Sequence, residues 1–427
     1  MAFDLLTAYR NKAKSLDDKD ALASFKSQFV ANDVIYLDGN SLGKLPLATI
    51  SLMQESIEKN WGDRLIRSWN ENWIDLPNRI AGKIAKLIGA REDEVLVSDS
   101  TSINLYKLAF AALQYKSNKN EILTDSFNFP SDLYILNGLI KNHFHQHHLK
   151  VINSKDGISI DIKDLEDGIN ENTAFICLSH VQYKSAYQYD MHRVNDLASK
   201  KNALVLWDLS HAVGAVPIKL NEWNADLAVG CTYKYLNGGP GASAFLYVKK
   251  ELQEKLNNPI QAWFAHEKPF DFDGNFIPSN SIQKFATSTP AILSLAPIEI
   301  GVDMILKAGL ENIRNKGLSQ SNFLIEMIRD FLEVLGFSIL SPIFENQRGS
   351  HISIQHPEAW RINQAMINPI KNTTVIIPDF RPPNTIRLGI APLYTSYSDL
   401  FHGIERIYTI MQEKEYLHFS REAKGVV

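Results

Sequence analysis

Between residues 95 and 249 short apolar runs alternate with segments long enough for helices, and this alternation leaves little choice of architecture. The runs fall at residues 95–97, 121–124, 151–153, 173–179, 204–208, 227–229 and 243–249, and the intervening stretches predict helices that end near Lys141, Ile169 and Lys200. Buried strands joined by helical crossovers give a parallel sheet wrapped by helices, so the expected class is α/β with a mostly parallel sheet. Before this block lie a predicted helical arm over residues 4–30 and a strand entering the turn Gly39-Asn-Ser41-Leu-Gly43. A helix over residues 47–60, an aromatic-rich segment with Trp61, Trp69 and Trp73, and a helix over residues 79–88 follow. From Ala291 a long helical stretch opens a region of mixed helix and strand, which reads as a smaller α+β domain. The expected division is therefore 1–60 as arm and part of the small domain, 61–295 as the large domain, and 296–427 as the C-terminal small domain.

Composition bounds the partners. In 427 residues, 44 basic against 48 acidic side chains give a net charge of -4. There is no basic tract of the kind that neutralises phosphate backbones, so nucleic acid is not expected. Residues 1–20 mix charges and lack an apolar core, and no stretch approaches membrane-spanning length, so the expected location is the cytoplasm. The two cysteines, Cys177 and Cys231, both fall in predicted strands, which indicates neither a disulfide framework nor a zinc cluster.

The chemistry gathers at strand ends. The run Leu227-Ala-Val229 delivers Lys234, flanked by Tyr233 and Tyr235, into a turn of three glycines and a proline. Lysines ordinarily sit on solvated faces. One held among rings and backbone has its charged form disfavoured and can act as nucleophile or base. The strand ending at Asp208, with His211 three residues on, delivers a carboxylate to the same edge of the sheet, because functional groups collect at the carboxyl ends of parallel strands. A carboxylate able to pair with a protonated pyridine, plus a lysine able to form a Schiff base, is the minimal kit for pyridoxal phosphate. Asp208 alone could equally be a metal-holding acid of an ATPase, but that reading needs a phosphate loop. Gly39-Asn-Ser-Leu-Gly43-Lys44-Leu45 departs from that pattern, with Leu45 where Ser or Thr should stand. Ser100-Thr101-Ser102 opens a helix after a strand. Capping accounts for one hydroxyl, and a phosphate cradle accounts for three. Phe129 and Asp132 fit either a stacking face and a ring contact or a turn and a cap, and Ser41 reads as a turn hydroxyl.

Several of these pieces together resemble the kynureninase family, a branch of the aspartate aminotransferase-like (fold type I) pyridoxal phosphate enzymes. They are Leu37-Asp-Gly-Asn-Ser41-Leu-Gly43, Ser100-Thr-Ser-Ile-Asn-Leu105, Phe129-Pro-Ser-Asp132, Trp207-Asp-Leu-Ser-His-Ala-Val-Gly214, Tyr233-Lys-Tyr-Leu-Asn237, and Arg387 ahead of Ala391-Pro-Leu-Tyr394. The resemblance runs nearly end to end. It implies that Lys234 forms the Schiff base and acts as base, that Asp208 pairs with the pyridine nitrogen, and that His211 sits beside the ring. Thr101, Ser102 and Tyr233 are then expected at the phosphate, Phe129 on the ring, and Asp132 and Ser179 near its substituents. Tyr233 is the candidate proton relay. Trp263 and Thr289 are expected to complete the phosphate site across a homodimer interface. Arg387 is expected to hold the substrate carboxylate, with Ser41, Trp69 and Thr289 around the aromatic end.

The implied reaction is hydrolysis of the Cβ–Cγ bond of L-kynurenine to anthranilate and L-alanine, a hydrolase acting on carbon–carbon bonds in ketonic substances, with 3-hydroxykynurenine as a second substrate. Such a reaction belongs to tryptophan catabolism and can feed NAD biosynthesis. His180 and Ala286-Thr-Ser-Thr289 depart from the family pattern. A desulfurase of the same superfamily would need a nucleophilic cysteine late in the chain, and no cysteine follows Cys231. Another β-eliminating relative remains open on composition. A cofactor-binding regulator would need an added DNA-binding domain, for which there is no extra length.

Overall fold

The computed structural model describes residues 2–371 and 374–422. A short strand, β1 (Val34–Tyr36), leads into the large sheet of β2 (Val95–Val97), β3 (Glu121–Asp125), β4 (His148–Ile152), β5 (Thr173–Ser179), β6 (Leu204–Asp208), β7 (Leu227–Gly230) and β8 (Phe245–Val248). Its order is β2-β8-β7-β6-β5-β3-β4. The strands from β7 to β4 run parallel, whereas β8 is antiparallel to both β2 and β7. The sheet is thus mostly parallel, as its alternation with helices requires.

Side chains alternate across the pleat, and the two faces bury separate cores. Ile176, Leu178, Val205 and Trp207 face helices Leu76–Ile88, Met191–Lys200 and Ile292–Ala308. Phe175, Cys177, Leu204 and Leu206 face helices Thr101–Tyr115 and Pro130–Asn142. A third core gathers around a four-stranded antiparallel sheet ordered β12-β13-β10-β9, made of β9 (Ser338–Ile339), β10 (His351–Gln355), β12 (Asp379–Arg381) and β13 (Thr385–Gly389). The remaining strand, β11 (Val375–Ile377), pairs in parallel with β1. Ala13, Ile35 and Leu37 join this third core, so the beginning of the chain packs with its last third.

Three local expectations are corrected. The helix expected over residues 47–60 is an α-helix only over Leu47–Glu55 and continues as a π-helix, Ser56–Arg64. The Ser56 hydroxyl donates back to the Leu52 carbonyl at 2.8 Å, a bond that competes with the regular ladder where the winding changes. The edge strand β4 begins three residues earlier than the apolar run at 151–153 suggests, because it registers His148 against Glu121 and carries polar side chains on an exposed edge. Cys231 lies one residue past β7 rather than within it. No helix among the described residues is long and apolar enough to cross a membrane.

Candidate active site

Both key residues leave the sheet at one edge. Asp208 is the last residue of β6 and is buried, with its carboxylate accepting the Ser210 N–H at 2.9 Å. Burial pushes its pKa up, against the bond from Ser210 and the attraction of Lys234. Lys234 hangs from the turn after β7, and its Nζ lies 2.9 Å from His211 Nε2. Burial, then the charges of Lys234 and Arg387, hold His211 well below the usual histidine range, so the neutral ring accepts from Lys234 Nζ. Its Nδ1 has no partner among the described residues.

A second carboxylate shares the crevice. Asp132, in the first turn of helix Pro130–Asn142, is buried with Oδ2 unpartnered among the described residues. Burial and then the Asp208 charge raise its pKa, with Lys234 pulling the other way. Two buried carboxylates around one lysine cannot both carry charge cheaply, so a proton on Asp132 leaves Asp208 to face the lysine. Ser179 ends β5 beside them and donates to Asn128 Oδ1 at 2.7 Å. Phe129 is half-exposed at the start of the helix, edge-on to Tyr183 with ring centres 5.2 Å apart.

The lysine turn is clamped from the other lobe. Gly43 N–H donates to the Tyr233 carbonyl at 2.8 Å, and a Cβ at Gly43 would lie 2.3 Å from the Lys234 carbonyl oxygen. The Gly39–Gly43 turn is therefore a docking surface for the lysine loop, which is why its resemblance to a phosphate loop is only superficial. Tyr235 points away into the small lobe and donates to the Ser350 carbonyl at 2.9 Å.

On the opposite side of Tyr233 opens a cavity of about 620 Å³ whose wall includes Thr101, Gly241, Thr287 and Thr289. The hydroxyl run at the helix start divides its duties. Ser100 is the cap, accepting from Ile103 N–H at 3.4 Å, which leaves the neighbouring Thr101 facing the cavity. Ser102 instead meets Ser131 at 3.1 Å. The neighbouring Cys231 first, then burial, push the Tyr233 phenol above its ordinary range, so it remains a proton donor.

Arg387, on β13, is wholly buried. Its Nε donates to Asp379, Nη1 to the Tyr183 carbonyl at 2.6 Å and Nη2 to Ser41 Oγ at 2.9 Å. Asp379 also pairs with Arg381 at 3.0 Å. Beside them Asp38 is raised to about 7, by burial first and the Asp379 charge second, and its Oδ1 has no partner among the described residues.

Two expected site residues stand apart. Trp263 is 42% exposed in an aromatic cluster with Phe264, Phe270 and Phe272, while the cavity wall itself is formed by its neighbours Phe264 and His266. Trp69 packs edge-on against Trp73, ring centres 5.4 Å apart, in an apolar groove with Trp61, Leu65 and Leu293. His180, which departs from the family pattern, is a core residue packed between Trp207 and Trp223, with burial holding its pKa near 4. Sequence reasoning did not find Asn128, Asp379, Arg381 or the buried His351, whose ring lies tilted against His211 with centres 6.0 Å apart. Only Asn128 carried a signal, its place between two phenylalanines in the loop before Pro130.

A buried carboxylate and a lysine at the carboxyl ends of adjacent strands, an unpartnered acid beside them and a hydroxyl-bearing helix start fit pyridoxal phosphate. They define the class as an aminotransferase-like, fold type I protein. Solved structures share the fold: the apo cysteine desulfurase from Thermococcus onnurineus superposes with a TM-score of 0.77 at 17% identity, over 91% of this chain and 98% of that one. A C-DES mutant with glycine covalently linked to its PLP cofactor does so with a TM-score of 0.77 at 14% identity, over 90% and 98%. The model of the DegT/DnrJ/EryC1/StrS aminotransferase family matches residues 63–217, and that of the kynureninase C-terminal domain matches residues 313–407. The chain is 38% identical to a kynureninase of Pseudomonas fluorescens over 411 residues, 95% of this chain and 96% of that protein. It is also 38% identical to one of Burkholderia pseudomallei over 408 residues, 94% and 95%. The chain belongs to the kynureninase family.

Proposed function

We propose that this protein hydrolyses the Cβ–Cγ bond of L-kynurenine, giving anthranilate and L-alanine, with pyridoxal phosphate as cofactor. The observation that carries the reading is the convergence of half-buried Lys234 with buried Asp208 and Asp132 in one crevice, in a chain related over almost its whole length to kynureninases. The bound cofactor supplies an electron sink for charge developing on the amino acid.

The residues do the rest. Lys234 Nζ takes the proton from the substrate α-carbon, and His211 Nε2, 2.9 Å away, receives its hydrogen bond and orients it. Asp208 is the residue that meets the pyridine nitrogen and keeps it protonated. Thr101, Ser102 and Tyr233 would hold the phosphate, Phe129 would cover the ring, and Asp132 and Ser179 would meet its substituents. Arg387 has three of its N–H groups committed to protein, which fixes its plane and leaves one N–H on each terminal nitrogen for a carboxylate. Ser41, expected around the aromatic end of the substrate, is bonded to the same guanidinium. Water then adds at the γ-carbonyl carbon. The Tyr233 phenol delivers a proton as the Cβ–Cγ bond breaks, and its raised pKa keeps it protonated for this step.

The protein works as a cytoplasmic homodimer in this reading, with Trp263 and Thr289 reaching the partner's phosphate site. What supports the dimer is the apolar groove of Trp61, Leu65, Ile66 and Trp69, with Ile66 75% exposed, a surface that water disfavours. What supports the location is that both cysteines are free thiols. The desulfurase reading gains nothing from the structure, because both thiols are buried and burial raises their pKa.

The test is product analysis with added cofactor. Equimolar anthranilate, read by fluorescence, and alanine from L-kynurenine are expected. No anthranilate, or sulfide released from cysteine in its place, would overturn the proposal.

A further inference from the structure

One buried ion pair has no part in the reaction as described. Lys107, on helix Thr101–Tyr115, is fully buried, and its Nζ donates to Asp99 Oδ2 at 2.7 Å and to the Phe285 carbonyl at 2.6 Å. A buried lysine is rare unless paired, and this one is paired within a turn of the hydroxyl cradle. Asp99 sits between β2 and that helix with φ +56°, a left-handed conformation that aspartate tolerates better than most residues. Its carboxylate also accepts from Ser98 Oγ at 2.8 Å and from Thr287 Oγ1 at 2.6 Å, and its carbonyl accepts the Ala244 N–H at 2.8 Å.

Two segments distant in sequence thus meet on the Asp99–Lys107 pair: the junction and helix that carry residues 100–102, and the loop running from Phe285 to Thr289. Asp99 and Thr287 share the cavity wall with Thr101, Tyr233 and Thr289. A lone carboxylate beside an anion site would repel the anion. Here burial would raise its pKa, but the Lys107 ammonium and three hydrogen bonds outweigh burial and hold it below the usual range. The pair is neutral as a unit, so an anion in the cavity meets hydroxyls and the positive helix end.

We infer that Asp99, held by Lys107, is a positioning residue that fixes the 287–289 loop against the hydroxyl cradle of residues 100–102 and so sets the affinity for the cofactor's phosphate. The inference rests on the pyridoxal phosphate reading above. Asp99→Ala would strand the Lys107 ammonium in the core and threaten the fold, so the informative variants are at Thr287. Thr287→Val keeps the shape and removes the hydroxyl that reaches Asp99; Thr287→Ser keeps the hydroxyl.

The full chain is titrated with pyridoxal phosphate, and separately with pyridoxal, following cofactor absorbance and tryptophan fluorescence. Thr287→Val is expected to raise the Kd for pyridoxal phosphate by about threefold to tenfold, the effect of one hydrogen bond. Pyridoxal binding and the melting temperature without cofactor should stay as in the wild type, and Thr287→Ser should restore the phosphate affinity. A Thr287→Val protein that binds pyridoxal phosphate as tightly as the wild type overturns the inference. So does a loss that is equal for pyridoxal, or one that serine fails to reverse. A wild-type chain that binds no pyridoxal phosphate removes the functional reading itself, and the inference with it.

Discussion

At the edge of the large sheet, half-buried Lys234 meets the buried Asp208 and Asp132, beside polar atoms, Asp132 Oδ2 and His211 Nδ1, that have no partner among the described residues. On the small sheet, each guanidinium nitrogen of Arg387 already has a protein partner: Asp379, Tyr183 or Ser41. Both regions are buried and charged, but they handle burial differently. The first keeps like charges close and tolerates raised carboxylate pKa values, which is the arrangement expected where chemistry needs groups that exchange protons. The second is an ion-pair network of Asp379 with Arg381 and Arg387 that fixes geometry, with one raised carboxylate, Asp38, at its margin, and it suits recognition of a rigid, planar anion. Their meeting point is the Gly39–Gly43 turn, which carries Ser41 to Arg387 and Gly43 to the Lys234 loop.

The sharpest way to separate the two regions is to remove one charged group from each. Lys234→Ala should lower kcat by about 10³-fold or more while leaving the melting temperature within a few degrees of wild type, because its role is proton transfer and not packing. Asp208→Asn should retain cofactor and lose roughly 10²-fold or more in kcat, since an amide cannot hold a pyridine nitrogen protonated. Steady-state kinetics beside thermal melts read both. Arg387→Lys should behave differently, lowering kcat/KM by about 10²-fold and the melting temperature as well, because lysine cannot satisfy Asp379, Tyr183 and Ser41 together. An Arg387→Lys protein that loses only stability would make the cluster structural and end its role as the carboxylate anchor.

The contrast also shows what a sequence can disclose. Asp208 and Lys234 were legible because parallel strands put chemistry at their carboxyl ends, so two strand ends imply one crevice. The Arg387 network was not. Asp379 faces Arg387 only because the β12–β13 hairpin registers those two residues opposite each other, and pairing register leaves little trace in a short strand. The Asp99–Lys107 pair was hidden for a related reason, since a lysine on a helix looks solvated until the helix face against the sheet is known. Trp69 is a third case. Its sequence neighbours Trp61 and Trp73 suggested a cluster, and the side chain packs against Trp73 in a groove that Trp61 also lines.

A pH measurement tests the network more gently. Asp38 has a folded pKa of about 7 against an ordinary 3.8. Between those values the folded protein holds a proton that the unfolded chain has released, so this group's contribution to stability falls as pH rises through that window and stays lost above it. Asp38→Asn should flatten this part of the stability profile and stabilise the protein at pH 8 by up to about 4 kcal/mol, each pKa unit being worth roughly 1.4 kcal/mol. Denaturant unfolding at several pH values measures it, and an unchanged profile would place the proton elsewhere in the network.

The smallest expected effect concerns the aromatic end of the substrate. A tryptophan at position 69 offers stacking area and no acceptor for a ring hydroxyl, so kcat/KM for L-kynurenine should exceed that for 3-hydroxy-L-kynurenine. Trp69→His should narrow the ratio by about severalfold. A ratio indifferent to position 69 would assign this side chain to the apolar groove alone.

The central claim, that Lys234 is the residue bonded to the cofactor in the crevice with Asp208, is tested most directly by borohydride reduction of the cofactor-loaded protein followed by peptide mass mapping. The account predicts a single pyridoxyl label, on the peptide containing Lys234, and its disappearance in Lys234→Ala. A label on another lysine, or one that survives the substitution, would contradict it.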